Sequence, residues 1–193
     1  LTLAGATGID FGSGVTFAAG GTLSMTTTSG GITGAGAFTL TSTGDISLTE
    51  DFTTAGATII TADSDGNGVG DFSLSNSKVL NSGNNALALT ANDITLSGSI
   101  SSGTGSTTIV SSDSGTIGIG GTTGNMTIDA AELSHITAGT LNIGNSSTGN
   151  ITVDGITAAN SNNATTVNFN TASGSSVSFA NNNSTFNALT VSG

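Results

Sequence analysis

The chain has 193 residues and a net charge of -11, with 12 Asp and Glu against one basic residue, Lys78; such a surface cannot neutralise a phosphate backbone, which excludes nucleic acid and anionic membrane as partners. Cys, Pro, Trp and Tyr are absent, so there is neither a disulfide framework nor a thiolate metal site, and packing and backbone hydrogen bonds must hold the fold. No run approaches the ~18 apolar residues of a membrane span, and no charged segment followed by an apolar one opens the chain. The chain is therefore expected not to be membrane-embedded.

Thirty glycines and many Ser, Thr and Asn residues also suit a disordered, low-complexity chain, but the apolar pattern rejects that reading. Apolar-x-apolar triplets begin at Leu1, Phe38, Ile46, Phe72, Leu87, Ile94, Ile117, Met126, Leu141, Ile151, Val167, Val177 and Leu189. Alternation at period two, bounded by Gly, Asn, Asp and Ser, predicts short half-buried strands, and helical spacing is nearly absent.

The strands repeat. AFTLTSTGDISLTEDFTTAG (37–56) matches ALALTANDITLSGSISSGTG (86–105): apolar-x-apolar, a polar corner containing Asp, I-x-L, one more apolar residue and a closing Gly. Looser copies begin near Leu1, Thr22, Thr107, Met126, Leu141, Thr166 and Leu189, an average spacing of about 21 residues over nine steps. A helix-free unit of this size cannot bury its own apolar face and must stack on its neighbours. The expected fold is all-β, a right-handed parallel β-helix of about nine coils with roughly 20–22 residues each, one shaft spanning residues 1–193. Inward positions are Leu40, Ile46, Leu48, Leu87, Leu89, Ile94, Leu96, Ile117, Ile119, Ile128, Ile143, Ile151, Val153, Val167, Phe169, Val177 and Phe179, with the alternate Thr, Ser and Asn facing solvent. Absence of proline fits, because inner strands need their N–H groups on both sides.

The grammar LxLTAxxDIxLxGxIxxG, here ALALTANDITLSGSISSG, resembles the repeats of large bacterial two-partner-secretion exoproteins of the filamentous-haemagglutinin type. Residues 126–155, MTIDAAELSHITAGTLNIGNSSTGNITVDG, are similar to a segment that recurs in giant adhesin-like members. The resemblance implies a β-helical shaft exported to the cell surface or medium, acting as a stalk or adhesin without an active site. The Pro-bearing secretion motif of the family's targeting domain is not present, nor is a recognisable receptor-binding tip, so the match is to shaft.

One coil carries an insertion. ATIITA (57–62) aligns with ALALTA (86–91) and FSLSNSKVLNSG (72–83) with ITLSGSISSG (94–103), so Asp63 through Asp71 replace the two residues Asn92 and Asp93. The segment 63–71 is therefore a corner loop projecting from the shaft. Asp63, Asp65, Asn67 and Asp71, with Gly68 among them, follow the first nine positions of a calcium loop built from hard oxygen ligands. Position twelve, however, is Leu74, an inward strand residue, and the segment lacks flanking helices. Either Ca²⁺ binds here or the loop is an acidic turn in which Asp and Asn cap N–H groups and Gly supplies positive φ. The shaft needs no cofactor in either case.

Asp129-Ala-Ala-Glu132 has capping-box spacing, predicting one helical turn with Leu133 and Ile136 tucked inward. His135, the only histidine, reads as an exposed corner residue with no partner for a transition-metal site. Glu50 and Asp51 read as a solvated edge, and no general base stands near a serine nucleophile. Sequons such as Asn125-Met-Thr occur by chance in so Asn- and Thr-rich a chain.

The expected function is mechanical and non-enzymatic: an extracellular shaft or filament module at a bacterial surface, whose apolar ends abut neighbouring coils or copies of itself. Alternatives are an ice-binding or calcium-dependent adhesive β-helix; ice binding needs aligned Thr-x-Thr pairs, which are visible only locally at Thr26/Thr28 and Thr39/Thr41. A polysaccharide-active enzyme would want clustered carboxylates, a cation and aromatic sugar platforms.

Overall fold

Alternation at period two puts every second side chain on the same side of a strand, and in the computed structural model, which describes residues 1–193, that rule generates three walls around one apolar interior. The first coil comprises β1 (Thr2–Gly5), β2 (Ile9–Phe11) and β3 (Val15–Ala19), and the second β4 (Leu23–Thr27), β5 (Ile32–Gly34) and β6 (Phe38–Ser42). The third holds β7 (Ile46–Leu48), β8 (Phe52–Thr54) and β9 (Thr58–Thr61), the fourth β10 (Phe72–Leu74), β11 (Val79–Asn81) and β12 (Leu87–Ala91). The fifth holds β13 (Ile94–Leu96), β14 (Ser99–Ser101) and β15 (Ser106–Ser111).

The sixth coil departs from this plan with β16 (Ile117–Gly120), β17 (Met126–Ile128), the short helix α1 (Ala130–Ser134) and the long β18 (Ile136–Ile143). β19 (Ile151–Asp154), α2 (Ala158–Ser161) and β20 (Ala164–Asn170) form the seventh, and β21 (Val177–Phe179) and β22 (Leu189–Ser192) the eighth.

Every strand pairing is parallel, first strand on first strand and third on third, as in Ile46↔Phe72↔Ile94 and Phe38↔Thr58↔Leu87↔Thr107. The protein is thus a parallel β-helix, and both sequence alignments that define the 63–71 insertion are reproduced in register. Eight coils give a rod about 34 Å long at ~4.8 Å per step. Offsets between paired residues of successive coils run from 20 (Phe38 to Thr58) to 36 (Ile100 to Ile136), so extra residues collect at corners while the walls keep register.

The expected nine steps differ from the eight coils for a definite reason. Met126 begins a repeat copy in sequence, but β17 folds back beside β16 within the same coil, pairing Ile117↔Met126 and Ile119↔Ile128. The first wall therefore has nine strands, in the order β1-β4-β7-β10-β13 and β17-β16-β19-β21, with the Thr127 N–H bonded to Asp93 Oδ1 across the join.

Thirty-five buried apolar residues form one core. Of the expected inward residues, all are buried except Val177, which is half-buried, and Phe179, which is 50% exposed because β21 pairs only with β19. Aromatic rings stack along the axis: Phe11, Phe38 and Phe52 lie 5.1 and 4.9 Å apart in successive coils. The expectation that Thr and Ser face outward holds for the walls but fails at the corners. Thr54, Ser82 and Ser102 are buried where the second wall turns into the third. There the Thr54 and Thr58 hydroxyls meet at 2.5 Å, Ser82 donates to the Asn85 carbonyl, and the Ser102 and Thr107 hydroxyls meet at 2.8 Å. A tight interior corner leaves carbonyls turned inward, and small hydroxyls satisfy them where an apolar side chain could not.

Candidate functional site

The acidic residues were the natural place to seek chemistry, and the structure shows what each one holds. All twelve carboxylates accept at least one hydrogen bond from the protein. Many of these bonds join successive coils. Asp45 Oδ1 takes the Asp71 N–H at 3.0 Å, Asp71 Oδ1 takes the Asp93 N–H at 3.1 Å, and Asp93 Oδ1 takes the Thr127 N–H at 2.9 Å. These aspartates directly precede first-wall strands, so they form one column down a corner. Asn125 and Asn150 continue it, accepting from the N–H groups of Thr116 and Ser176 at 3.0 and 2.9 Å.

Glu50 and Asp51, read from sequence as a solvated edge, also reach the next coil. Glu50 Oε2 lies 2.6 Å from Lys78 Nζ, raising the lysine pKa chiefly through that hydrogen bond, and Asp51 Oδ1 accepts from the Val79 N–H.

The 63–71 loop sits at the corner where it was expected, but its base is not a projection. Asp63 is 1% exposed, and the Ser64 N–H bonds the Ser42 carbonyl of the preceding coil at 2.8 Å. Asp63 itself adopts φ +52°, with Gly66 and Gly68 at +64° and +78°. That conformation lets both Asp63 oxygens face the loop interior: Oδ1 accepts from the Asn67 N–H, Oδ2 from the Gly68 N–H and the Ser112 hydroxyl. Desolvation pushes this carboxyl up, but the Ser112, Gly68 and Asn67 donors outweigh it and hold it below the usual carboxylate range.

Asp65 Oδ2 accepts from Asn67 Nδ2 at 2.9 Å, and Asn67 Oδ1 accepts from the Val69 N–H. Asp63, Asp65 and Asn67 are therefore joined to one another and to their own backbone, whereas Asp71 belongs to the corner column. Nowhere do three His, Cys, Asp or Glu side chains converge as a metal-holding group.

The helical turn at 129–135 forms as its capping box dictates: Asp129 Oδ1 accepts from the Glu132 N–H and Glu132 Oε2 from the Asp129 N–H. Leu133 and Ile136 are buried. His135 is half-buried rather than exposed, because its Nδ1–H donates to the Leu96 carbonyl of the coil below at 2.8 Å. Glu132 Oε1 likewise accepts the Leu96 N–H, and burial, with Asp129 and Asp93 nearby, raises its pKa. One turn of helix thus clamps two coils.

The outer first wall carries a feature that sequence showed only locally. The registers stack Thr2, Ser24, Ser47, Ser73 and Thr95 in one column, with Thr26 two residues along β4 and Thr49, Ser75 and Ser97 just past the ends of β7, β10 and β13. No Asp, Glu or Lys interrupts these columns. Pairing Ser with Thr, rather than searching for Thr-x-Thr, would have revealed this face.

Comparison with protein-family models, with curated proteins and with solved structures finds no match to this chain.

Proposed function

We propose that the protein is a non-enzymatic structural or adhesin module, a β-helical shaft segment of a large secreted bacterial surface protein that stacks end to end with further coils. The observation that carries this reading is the use of the polar groups. Asp45, Asp51, Asp71, Asp93, Glu132 and Asp154 each accept a backbone N–H from another coil, and the sole histidine bonds a carbonyl. Side chains that would supply acid, base or nucleophile are occupied in holding coils together. No helix is long and apolar enough to cross a membrane.

Stacking is supported by the apolar surface of the last coil. Leu189 and Val191, in register with buried Val167 and Phe169, are 37% and 50% exposed, and Phe179 is 50% exposed. Another coil laid on β21 and β22, from the same polypeptide or another copy, would cover them and pair the open strand edges. Sedimentation velocity and negative-stain microscopy across a concentration series test this. Rods should lengthen in increments of about 38 Å, eight steps of ~4.8 Å per added copy, without thickening; a monodisperse 18.4 kDa particle at every concentration would overturn the stacking.

The Ser/Thr columns of the first wall favour a second reading, ice binding. The hydroxyls of the first column repeat at ~4.8 Å along the axis, a periodic array of the kind that matches an ordered water lattice. Its assay is thermal hysteresis, and a freezing point equal to the melting point at millimolar protein disposes of it.

A further inference from the structure

Two aspartates are almost wholly buried, and they are treated differently by the fold. Asp63 is 1% exposed and receives three donors shared between both carboxylate oxygens. Asp154, at the end of β19, is 5% exposed, and both of its donors, Asn182 N–H at 2.7 Å and Asn182 Nδ2 at 3.0 Å, go to Oδ1. Its Oδ2 receives no hydrogen bond from the protein. That oxygen is not sealed in the core, because no buried side-chain oxygen lacks a partner; it opens instead on a cleft of about 620 Å³ lined by Gly120, Gly121, Asp129, Asp154, Asn182 and Asn183, among others.

The floor of this cleft is made by the fold-back in the sixth coil. Gly120 pairs with Asp154, and Asp129 follows Ile128, which pairs with Ile119. Along the wall the order is therefore Asp129, Gly120, Asp154, two carboxylates astride a glycine. At Gly121 an added Cβ would come within 3.2 Å of Asp154 Oδ2, so the missing side chain is what leaves the carboxylate open.

A carboxylate that is 5% exposed, with one oxygen bonded to Asn182 and the other meeting only the solvent of the cleft, keeps part of its hydration and is further stabilised by a counter-charge at that oxygen. The chain has one cationic side chain, Lys78, and Glu50 holds it. Such a counter-charge comes from solution, and every polar side chain lining the cleft offers oxygen. We propose that this cleft is a Ca²⁺ site, with Asp154 Oδ2 as the anchoring ligand, Asp129 and the side-chain carbonyls of Asn182 and Asn183 as partners, and water completing the shell. Irregular oxygen sets of carboxylate, amide carbonyl and water suit Ca²⁺ better than the small, strictly octahedral Mg²⁺. The site is distinct from the 63–71 loop and independent of what the rod is attached to. With few charged ligands, its affinity belongs in the range of about 0.1–1 mM found for extracellular modules.

Isothermal titration of the full chain with CaCl₂ tests the assignment. One Ca²⁺ per chain should bind, weakened at least tenfold in Asp154→Asn and in Gly121→Val, which crowds Asp154 Oδ2 without removing the carboxylate. Asp65→Asn, in the 63–71 loop, should bind as the native chain does. Far-UV circular dichroism reports whether each variant keeps its β signal, and Gly121→Val gives the answer if Asp154→Asn does not fold. Absence of Ca²⁺ binding by the native chain, binding unchanged in the folded cleft variants, or loss of binding in Asp65→Asn would each overturn the site.

Discussion

The aspartate column at the first corner makes a quantitative prediction through Asp71→Asn. Asp71 stands between Asp45 and Asp93, bonded N–H to carboxylate on one side and carboxylate to N–H on the other. Its Oδ1 also takes Asn92 Nδ2 at 2.9 Å. Two unit charges one strand apart, ~4.8 Å, repel by about 0.9 kcal/mol in water, so relieving both neighbours gains at most about 1.7 kcal/mol. The amide keeps an oxygen acceptor, as Asn125 and Asn150 do in the same column, but forfeits about 1 kcal/mol of charge assistance in the Asp93 bond. At ~10 mM salt the variant should be more stable than the native chain by a few tenths to 1 kcal/mol, and at ~1 M salt, where the Debye length falls to ~3 Å, less stable by about 1 kcal/mol. Asp71→Ala, which removes the acceptor together with the charge, should be less stable than Asp71→Asn by about 1–2 kcal/mol at both ionic strengths. Urea denaturation at the two salt concentrations measures all three. Equal effects of Asp71→Asn at both, or equal loss for Asn and Ala, would refute the claim that the column is a set of backbone acceptors strained by like charge.

Other substitutions follow from the core and the buried loop. Phe52→Ala, which empties a fully buried position between Phe38 and Leu80, should cost about 3–5 kcal/mol in the same denaturation assay. Thr54→Val removes the bond between the Thr54 and Thr58 hydroxyls and one of the two hydroxyls that donate to the Gly56 carbonyl; it should destabilise by about 1 kcal/mol despite its nearly equal volume. Asp63, held below its ordinary value, contributes stability that is fully present above that value and lost as pH falls through the folded one. The acid limb of an unfolding profile below about pH 5 should therefore be shallower in Asp63→Ala than in the native chain. Glu132, raised above its ordinary value, acts in the opposite sense, its contribution declining as pH rises through the folded value. Glu132→Gln should remove that decline.

The walls were legible because period-two alternation and a coil-length repeat are local signals, and Leu40, Ile46, Leu89 and Ile94 fell where they were placed. The corners were not, because they depend on what lies one coil away. His135 looks solvent-bound until the Leu96 carbonyl is known to sit below it, and Asp51 until the Val79 N–H is. The loop 63–71 was visible as an insertion, yet the Asp63 carboxylate is completed by Ser112, 49 residues on. Asp154 gave no signal at all, since the glycines that expose it, Gly120 and Gly121, belong to a different strand of the wall. The fold-back that creates them reads in sequence as one more repeat.

That fold-back has a mechanical meaning. Nine strands on one wall stand against eight on the third, β3 through β22, so the stack contains an extra half-plane, the defect that metallurgists call an edge dislocation. A column with one surplus course of bricks on one side leans away from that side. A fibre built of such segments would curve, with its hydroxyl-bearing wall on the outside of the bend, and the place where it bends is the place where Asp129, Gly120 and Asp154 meet.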